Sequence, residues 1–435
     1  MTFDLARFYK ACNPSKTLVM GNADDRRYYI DFSPVRGSNI IRELQRTITI
    51  LAGDEPTSCQ LFTGHIGCGK STELLRLKAE LEQQGFHVVY FESSQDLDTA
   101  DVDVTDILLA IARQVSESLE AIQINVKPSY FNNLFAEIAD LLQMPIDLSA
   151  QAELSFVIGK ITAQTKASPK LRNQLRQHLE PRTNGILGAI NQELLDPARE
   201  KLQKQGKQGL VVIVDNLDRV DNTLKPSGRT QPEYLFVDRG EQLNQLKCHV
   251  VYTIPLVLLF SNSLGPLTNR FGVDPKVLPM VPIELREGAD CAEGLALLRQ
   301  MVLTRAFPDA TPAQQLQLIP HVFDSSDTLE RLCKVSGGHV RNLLMLLYRC
   351  LQRDDPPLSR NCLEAVIRQR RDELVNTIDN DEWELLRHVG QHKSVRGEER
   401  YQTLIRSMFV FEYRDHNGSW FDINPILADA KEFQL

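Results

Sequence analysis

Eight consecutive residues, Gly64-His65-Ile66-Gly67-Cys68-Gly69-Lys70-Ser71, fit the spacing G-x-x-x-x-G-K-[ST], which builds a loop for the phosphates of a nucleoside triphosphate. Glycines without Cβ atoms let such a loop wrap so that several backbone N–H groups face one anion at the positive end of the helix that follows. Lys70 is expected to reach the β and γ phosphates, Ser71 to ligate Mg²⁺ and Thr72 to touch the α phosphate. Cys68 reads as a residue tolerated in the loop rather than a redox switch.

A loop of this kind needs a second carboxylate site for the metal. The segment VVIVDNLDR has four apolar residues running into Asp215, with Asp218 three residues on, so Asp215 is the expected outer partner of Mg²⁺. Asp218 either polarises the attacking water or caps a helix just after the strand. Asn216 occupies the position directly after the metal aspartate, and an amide cannot accept a proton, so either Asp218 is the base or hydrolysis is slow. Thr253 or Tyr252, at the end of HVVYTIP, either places a hydroxyl near the γ phosphate or serves the fold. Arg341, in SGGHVRNLL, is expected to fold over the phosphates from a moving helix. Arg270, in NRFG, is read as a finger acting in trans or as a surface ion pair.

The elements that must position these residues follow from periodicity. QLFT, the glycine loop, LLRLKAELEQQG and HVVYFESS form a strand, turn, helix and strand. Further buried strands are expected at GLVVIVDNLD, at HVVYTIPLVLLF and, last, at MVPIEL near residue 280. The intervening stretch is helical. The fold class is therefore α/β, a P-loop NTPase parallel sheet core with a helical insertion, a helical lid and a C-terminal winged-helix domain. Its expected divisions are a lead-in at 1–57 with a helix carrying Ile40, Ile41, Leu44 and Ile48, the core at 58–286 with the insertion at about 101–208, the lid at 287–375, and a winged helix at 376–435. In the last of these, two helices precede a hairpin with an Asn-Gly turn at HNG.

Other chemistries are poorly served. The chain carries 49 basic and 57 acidic residues, a net charge of −8, so no global field favours polyanions. Its eight cysteines form no CxxC pair and read as reduced thiols. His388 and His392 share a helix face without a further ligand, so no zinc is expected. QDLDTADVDVTD lacks the glycine and terminal glutamate of a calcium loop and reads as a solvated loop and helix N-cap. No apolar run is long enough to span a bilayer and residues 1–16 do not form a signal peptide, so a cytoplasmic protein without membrane association is expected.

With these residues in place, the chain resembles P-loop NTPases between the STAND signalling ATPases and AAA+ ATPases of the archaeal replication-initiator type. The resemblance covers residues 30–435 apart from the insertion. VVIVDNLDR resembles the metal-binding strand of the KAP and NACHT groups, where an acidic residue three after the aspartate implies a role for Asp218. KAP insertions often carry transmembrane helices, and this one carries none. SGGHVRNLL resembles the sensor 2 segment, which implies Arg341 as its arginine. NRFG implies Arg270 as a finger, Thr253 falls at sensor 1, and Val35 and Arg36 fall where initiators line the adenine site. The resemblance implies ATP as the nucleotide.

Two functions follow as expectations. In the first, ATP binding and slow hydrolysis alter the lid and C-terminal domain, and a protein partner reads the state, as STAND members do in signalling and conflict defence. The insertion is then an expected docking surface. In the second, the protein is an AAA+ ATPase that oligomerises on DNA. Residues 376–435 hold seven basic and eleven acidic residues, and the hairpin carries Glu412, Asp415 and Asp422. A wing of that charge repels phosphate, which favours the switch; RQRRDEL at 368–374 reads as a solvated helix face. A nucleotide-dependent homo-oligomer fits either function. A small-molecule kinase lacks an acceptor-site motif.

Overall fold

The structure, a computed structural model, describes residues 3–53, 57–126, 129–143 and 154–434. Seven strands occur among them: β1 Cys59–Gly64, β2 His87–Glu92, β3 Leu210–Asp215, β4 His249–Thr253, β5 Lys276–Leu278, β6 Val410–Asp415 and β7 Gly418–Ile423. The first five form one sheet in the order β2-β3-β4-β1-β5. The chain divides into two compact units, one of Ile41–Thr63 and Leu77–Lys276, the other of Met1–Ile40, Gly64–Arg76 and Val277–Leu435.

The first unit holds most of the sheet. β2 pairs with β3 in parallel from His87↔Leu210 to Glu92↔Asp215, β3 with β4 from Val211↔His249 to Val214↔Tyr252, and β4 with β1 from Val250↔Cys59 to Thr253↔Phe62. All six residues of β3 are buried, as expected for a Val/Ile strand covered on both faces of a parallel sheet. The helix Val104–Ala121 opens with a capping box between Asp103 and Asp106. Its Val104, Ile107, Leu108, Ile111 and Val115 share a single core with Leu61, Val89, Val212 and Val250 of the sheet. The helical stretch between β2 and β3 thus completes the core of the sheet.

Three expectations need correction here. β4 stops at Thr253, and LVLLF is a 3-10 helix, Leu256–Phe260; Pro255 fixes φ and offers no N–H to continue a ladder. The last strand of the sheet is Lys276–Leu278, not MVPIEL. The aspartate-rich loop is not simply solvated. Asp96 is buried and takes hydrogen bonds from Arg113 and from Gln114. Asp98 pairs with Arg172 at 2.6 Å and Asp101 with Arg176 at 2.6 Å, while Asp103 is the expected N-cap.

The second unit gathers the glycine loop, the lid helices and the C-terminal hairpin. The lid comprises Ala292–Ala306, Ser326–Val335, Val340–Leu351 and Arg360–Val375. Helices Asn380–His392 and Glu399–Arg406 then precede the antiparallel pair β6 and β7, the order of a winged helix. The hairpin turn differs in detail from the Asn-Gly expectation. His416 and Asn417 are its central residues, and Gly418, at φ 102°, already pairs with Asp415.

MVPIEL is buried in this unit for a reason other than sheet pairing. Met280 N–H donates to Glu412 O at 2.9 Å and Val281 N–H to Gly338 O at 3.4 Å. Gly338 sits at φ 67°, and a Cβ there would lie 1.6 Å from Val281 O. Gly338→Ala is therefore expected to lower stability by about 2 kcal/mol or more, from the backbone clash and the left-handed φ; a thermal melt matching wild type would refute it. Among the described residues no helix is long and apolar enough to cross a membrane.

Candidate nucleotide-binding site

The phosphate loop is built from its carbonyls outward. Lys70 Nζ donates to Gly64 O at 2.8 Å and to His65 O at 2.9 Å. The His339 ring meets Ile66 O at 2.8 Å through Nε2. Arg341 N–H donates to Gly67 O at 3.2 Å and Glu73 N–H to Gly69 O at 3.1 Å. Arg36 donates through Nη2 to Cys68 O at 2.8 Å. In a trans peptide the carbonyl and the following N–H point in opposite directions. Donors that hold these carbonyls from outside the loop therefore turn the intervening N–H groups toward its concave side, the arrangement that binds an anion.

Lid and lead-in residues thus complete a loop whose own sequence supplies only flexibility. Gly67 shows why glycine is needed: at φ 89° a Cβ would lie 2.8 Å from His339 Nε2. Arg36 follows the 3-10 turn Ser33–Val35 and is buried, with its guanidinium carbon 5.4 Å over the Phe32 ring. Lys70, also buried, opens the helix Lys70–Gln83, and Ser71 and Thr72 lie half-buried in its first turn. Ile66 is exposed and Cys68 buried.

Two buried histidines lock this arrangement. His339 caps the helix Val340–Leu351 by accepting Asn342 N–H on Nδ1 at 3.2 Å, so its proton is on Nε2, where it donates to Ile66 O. His65 Nε2 accepts the N–H of Glu412, in β6, at 2.9 Å, and its ring lies edge-on to Phe411 at 5.8 Å. Burial pushes His65 down to about 3 and His339 to about 4, with neighbouring positive groups adding to it. Both are therefore neutral at pH 7, as these hydrogen bonds require. The hairpin, the lid and the phosphate loop meet within one compact unit.

In the other unit, Asp215 ends β3 fully buried. Its Oδ2 accepts Tyr90 O–H at 2.8 Å and its Oδ1 accepts Asn216 N–H at 2.7 Å. Asn216 is left-handed at φ 65° and precedes the one-turn helix Leu217–Arg219. Asp218 lies inside that turn, whose N-cap is Asn216, so Asp218 is not its cap. Thr253 accepts Leu217 N–H at 3.0 Å and contacts Val214 O at 3.3 Å, which fastens the turn to β4. Its hydroxyl proton is directed at a main-chain carbonyl. Tyr252 O–H likewise meets Leu243 O at 3.2 Å. Arg270, near the end of Leu264–Phe271, binds Val237 O at 3.1 Å and Glu241 at 3.2 Å, which is the surface ion pair of its two expected states.

The structure thus brings Arg36, Gly64–Thr72 and Arg341 together in one unit, and Asp215, Asn216, Asp218 and Thr253 together in the other. Sequence reasoning passed over His339, Glu412, Tyr90 and Glu92. His339 lies in the same SGGHVRNLL segment from which only the arginine was taken. Tyr90 and Glu92 carry the strand alternation, but which strand they face is not a local property. No group of three or more histidine, cysteine or acidic residues able to hold a metal occurs among the described residues, and His388 and His392 simply stack at 4.2 Å.

No protein-family model matches the chain, and no curated protein matches it in sequence. Among solved structures, 57 chains match. A Walker-type ATPase of Pyrococcus abyssi has 11% identity and a TM-score of 0.45, covering 98% of this chain and 100% of its own. The ORC2 protein of Aeropyrum pernix, in ADPNP–ADP complexes, has 11% identity and a TM-score of 0.39, covering 91% and 90%. Cdc6p of Pyrobaculum aerophilum has 13% identity and a TM-score of 0.38, covering 95% and 97%. None of the three is close enough to lend a residue's role to this chain.

Proposed function

We propose that the protein is a P-loop ATPase of the AAA+/STAND kind that binds ATP·Mg²⁺, hydrolyses it slowly, and acts as a switch whose lid and C-terminal domain signal the nucleotide state to a protein partner. The observation that carries this reading is the construction of the phosphate loop. His339 and Arg341 of the lid and, through His65, Glu412 of the hairpin all hold it. A ligand that reorders the loop acts on those elements directly.

The residues suit the ligand. Lys70 is a buried cation whose ammonium donates to two loop carbonyls, ready to exchange them for phosphate oxygens. Ser71 stands in the first helical turn, and Asp215 offers a buried carboxylate at a strand end. Mg²⁺ held by Ser71 and Asp215 would neutralise charge building between the β and γ oxygens. Lys70 and the loop amides stabilise the transferring group, and Arg341 adds a cation from the lid. Asn216 takes no proton, so turnover depends on a carboxylate elsewhere and is low.

A second reading, an AAA+ ATPase that assembles on DNA, gains support from one observation. The three hairpin carboxylates counted against it are not free charges. Glu412 is buried, Asp415 is gripped by Arg286 through two bonds of 3.0 Å, and Asp422 pairs with Lys393 at 2.5 Å. The formal charge of the domain overstates its repulsion of phosphate.

Molar mass and hydrodynamic radius by light scattering separate the two readings. The measurement uses ADP and then a non-hydrolysable ATP analogue, with and without duplex DNA. The switch predicts a nucleotide-dependent change that DNA does not alter. Assembly that needs DNA selects the second reading, and failure to bind either nucleotide rejects both.

A further inference from the structure

Glu92 ends β2 at the carboxyl edge of the parallel sheet, the edge from which open α/β sheets bind their ligands. It is the register partner of Asp215. Partners directly opposite in adjacent strands project from the same face, with the strands about 4.8 Å apart. Tyr90, two residues earlier in β2, projects from that face too, and its hydroxyl reaches Asp215 Oδ2 at 2.8 Å. Tyr90, Glu92 and Asp215 therefore form one polar group beside the strand end that carries the metal aspartate.

Their circumstances differ in a way that assigns roles. Asp215 is fully buried and both its oxygens are engaged, as befits a fixed metal partner. Asn216 is an amide. Asp218 stands in a 3-10 turn and interacts with neighbouring groups. Glu92 is half-buried, its carboxylate caps nothing, and no hydrogen-bond or ion-pair partner for it occurs among the described residues.

We propose that Glu92 is the general base for the hydrolysis proposed above, on which this assignment rests, replacing the group that Asn216 cannot supply. Glu92 takes a proton from water as the water oxygen bonds to Pγ. The bond from Pγ to the bridging oxygen breaks, its electron pair leaves with ADP, and the proton passes from Glu92 to inorganic phosphate. Tyr90 is a positioning residue in this scheme, since it orients Asp215 beside the base.

The test uses the full chain with ATP and Mg²⁺, comparing wild type, Glu92→Gln and Asp218→Asn. Affinity is read with a fluorescent ATP analogue and hydrolysis in single turnover with γ-labelled ATP. Glu92→Gln is expected to bind ATP within about threefold of wild type and to hydrolyse it about 100-fold more slowly or worse, while Asp218→Asn keeps most of its rate. Hydrolysis by Glu92→Gln within about tenfold of wild type overturns the assignment. So does a 100-fold loss in Asp218→Asn alone.

If Glu92→Gln melts early, a folded Glu92→Ala offered formate gives the answer: restored hydrolysis supports the base, and no restoration rejects it. A wild type that binds ATP but never cleaves it removes the base role and leaves a binding switch. A wild type that binds no nucleotide rejects the functional reading itself.

Discussion

Lys70→Ala is expected to lower affinity for ATP at least about 100-fold and to abolish measurable hydrolysis. A charge-assisted hydrogen bond contributes about 1.5–3 kcal/mol, and Lys70 is positioned to give up two carbonyl contacts, to Gly64 and His65, for two phosphate oxygens. The loss is greater than that of one cation. In the free protein the same ammonium turns the Gly64 and His65 carbonyls outward, so its removal also loosens the cradle. Stability should respond far less than affinity, because the substitution removes a buried charge together with the contacts that compensate its desolvation. Calorimetric titration with ATP beside a thermal melt separates the two effects. Affinity within tenfold of wild type would remove Lys70 from the site and take the nucleotide reading with it.

What could be read in the sequence were features whose cause is local. The glycine loop declares itself because its spacing and its steric needs lie within eight residues. β3 declares itself because a run of Val and Ile before Asp215 has no other comfortable state than a buried strand. The helix Ile40–Ile50 follows from four apolar residues, all of them buried.

Failures came where a residue's surroundings arrive from a distance. MVPIEL is as apolar as a strand, but its N–H groups go to Glu412 and Gly338 rather than to a sheet neighbour. His65 counts in the motif only as an unspecified position, although its ring receives an N–H from a residue 347 positions away. Glu92 could be placed at a strand end, yet nothing in HVVYFE tells that the neighbouring strand end is Asp215. The charge count of the hairpin misled for a related reason, because a carboxylate's formal charge says nothing about the arginine or lysine packed on it.

Glu412→Gln is expected to change how stability depends on pH. Burial raises the Glu412 carboxyl from its usual 4.5 to about 7, against smaller opposing effects of the Ser419 hydroxyl and Arg414. A carboxyl held higher in the folded state than in the unfolded one adds stability that is complete below about pH 4.5 and is lost as pH rises through 7. His65 acts in the opposite sense. Its folded value near 3 gives stability that is present above about pH 6.5 and lost as pH falls toward 3. Glutamine cannot ionise, so from pH 5 to pH 8 the stability of Glu412→Gln relative to wild type should rise by about 3 kcal/mol. Calorimetric melts of both proteins across that range measure the shift, and parallel curves would show that the carboxyl ionises as freely folded as unfolded. The N–H of this same residue fills His65 Nε2. Wild-type ATP affinity should therefore weaken relative to the variant over the same range, because ionising Glu412 strains the strand that holds the phosphate loop.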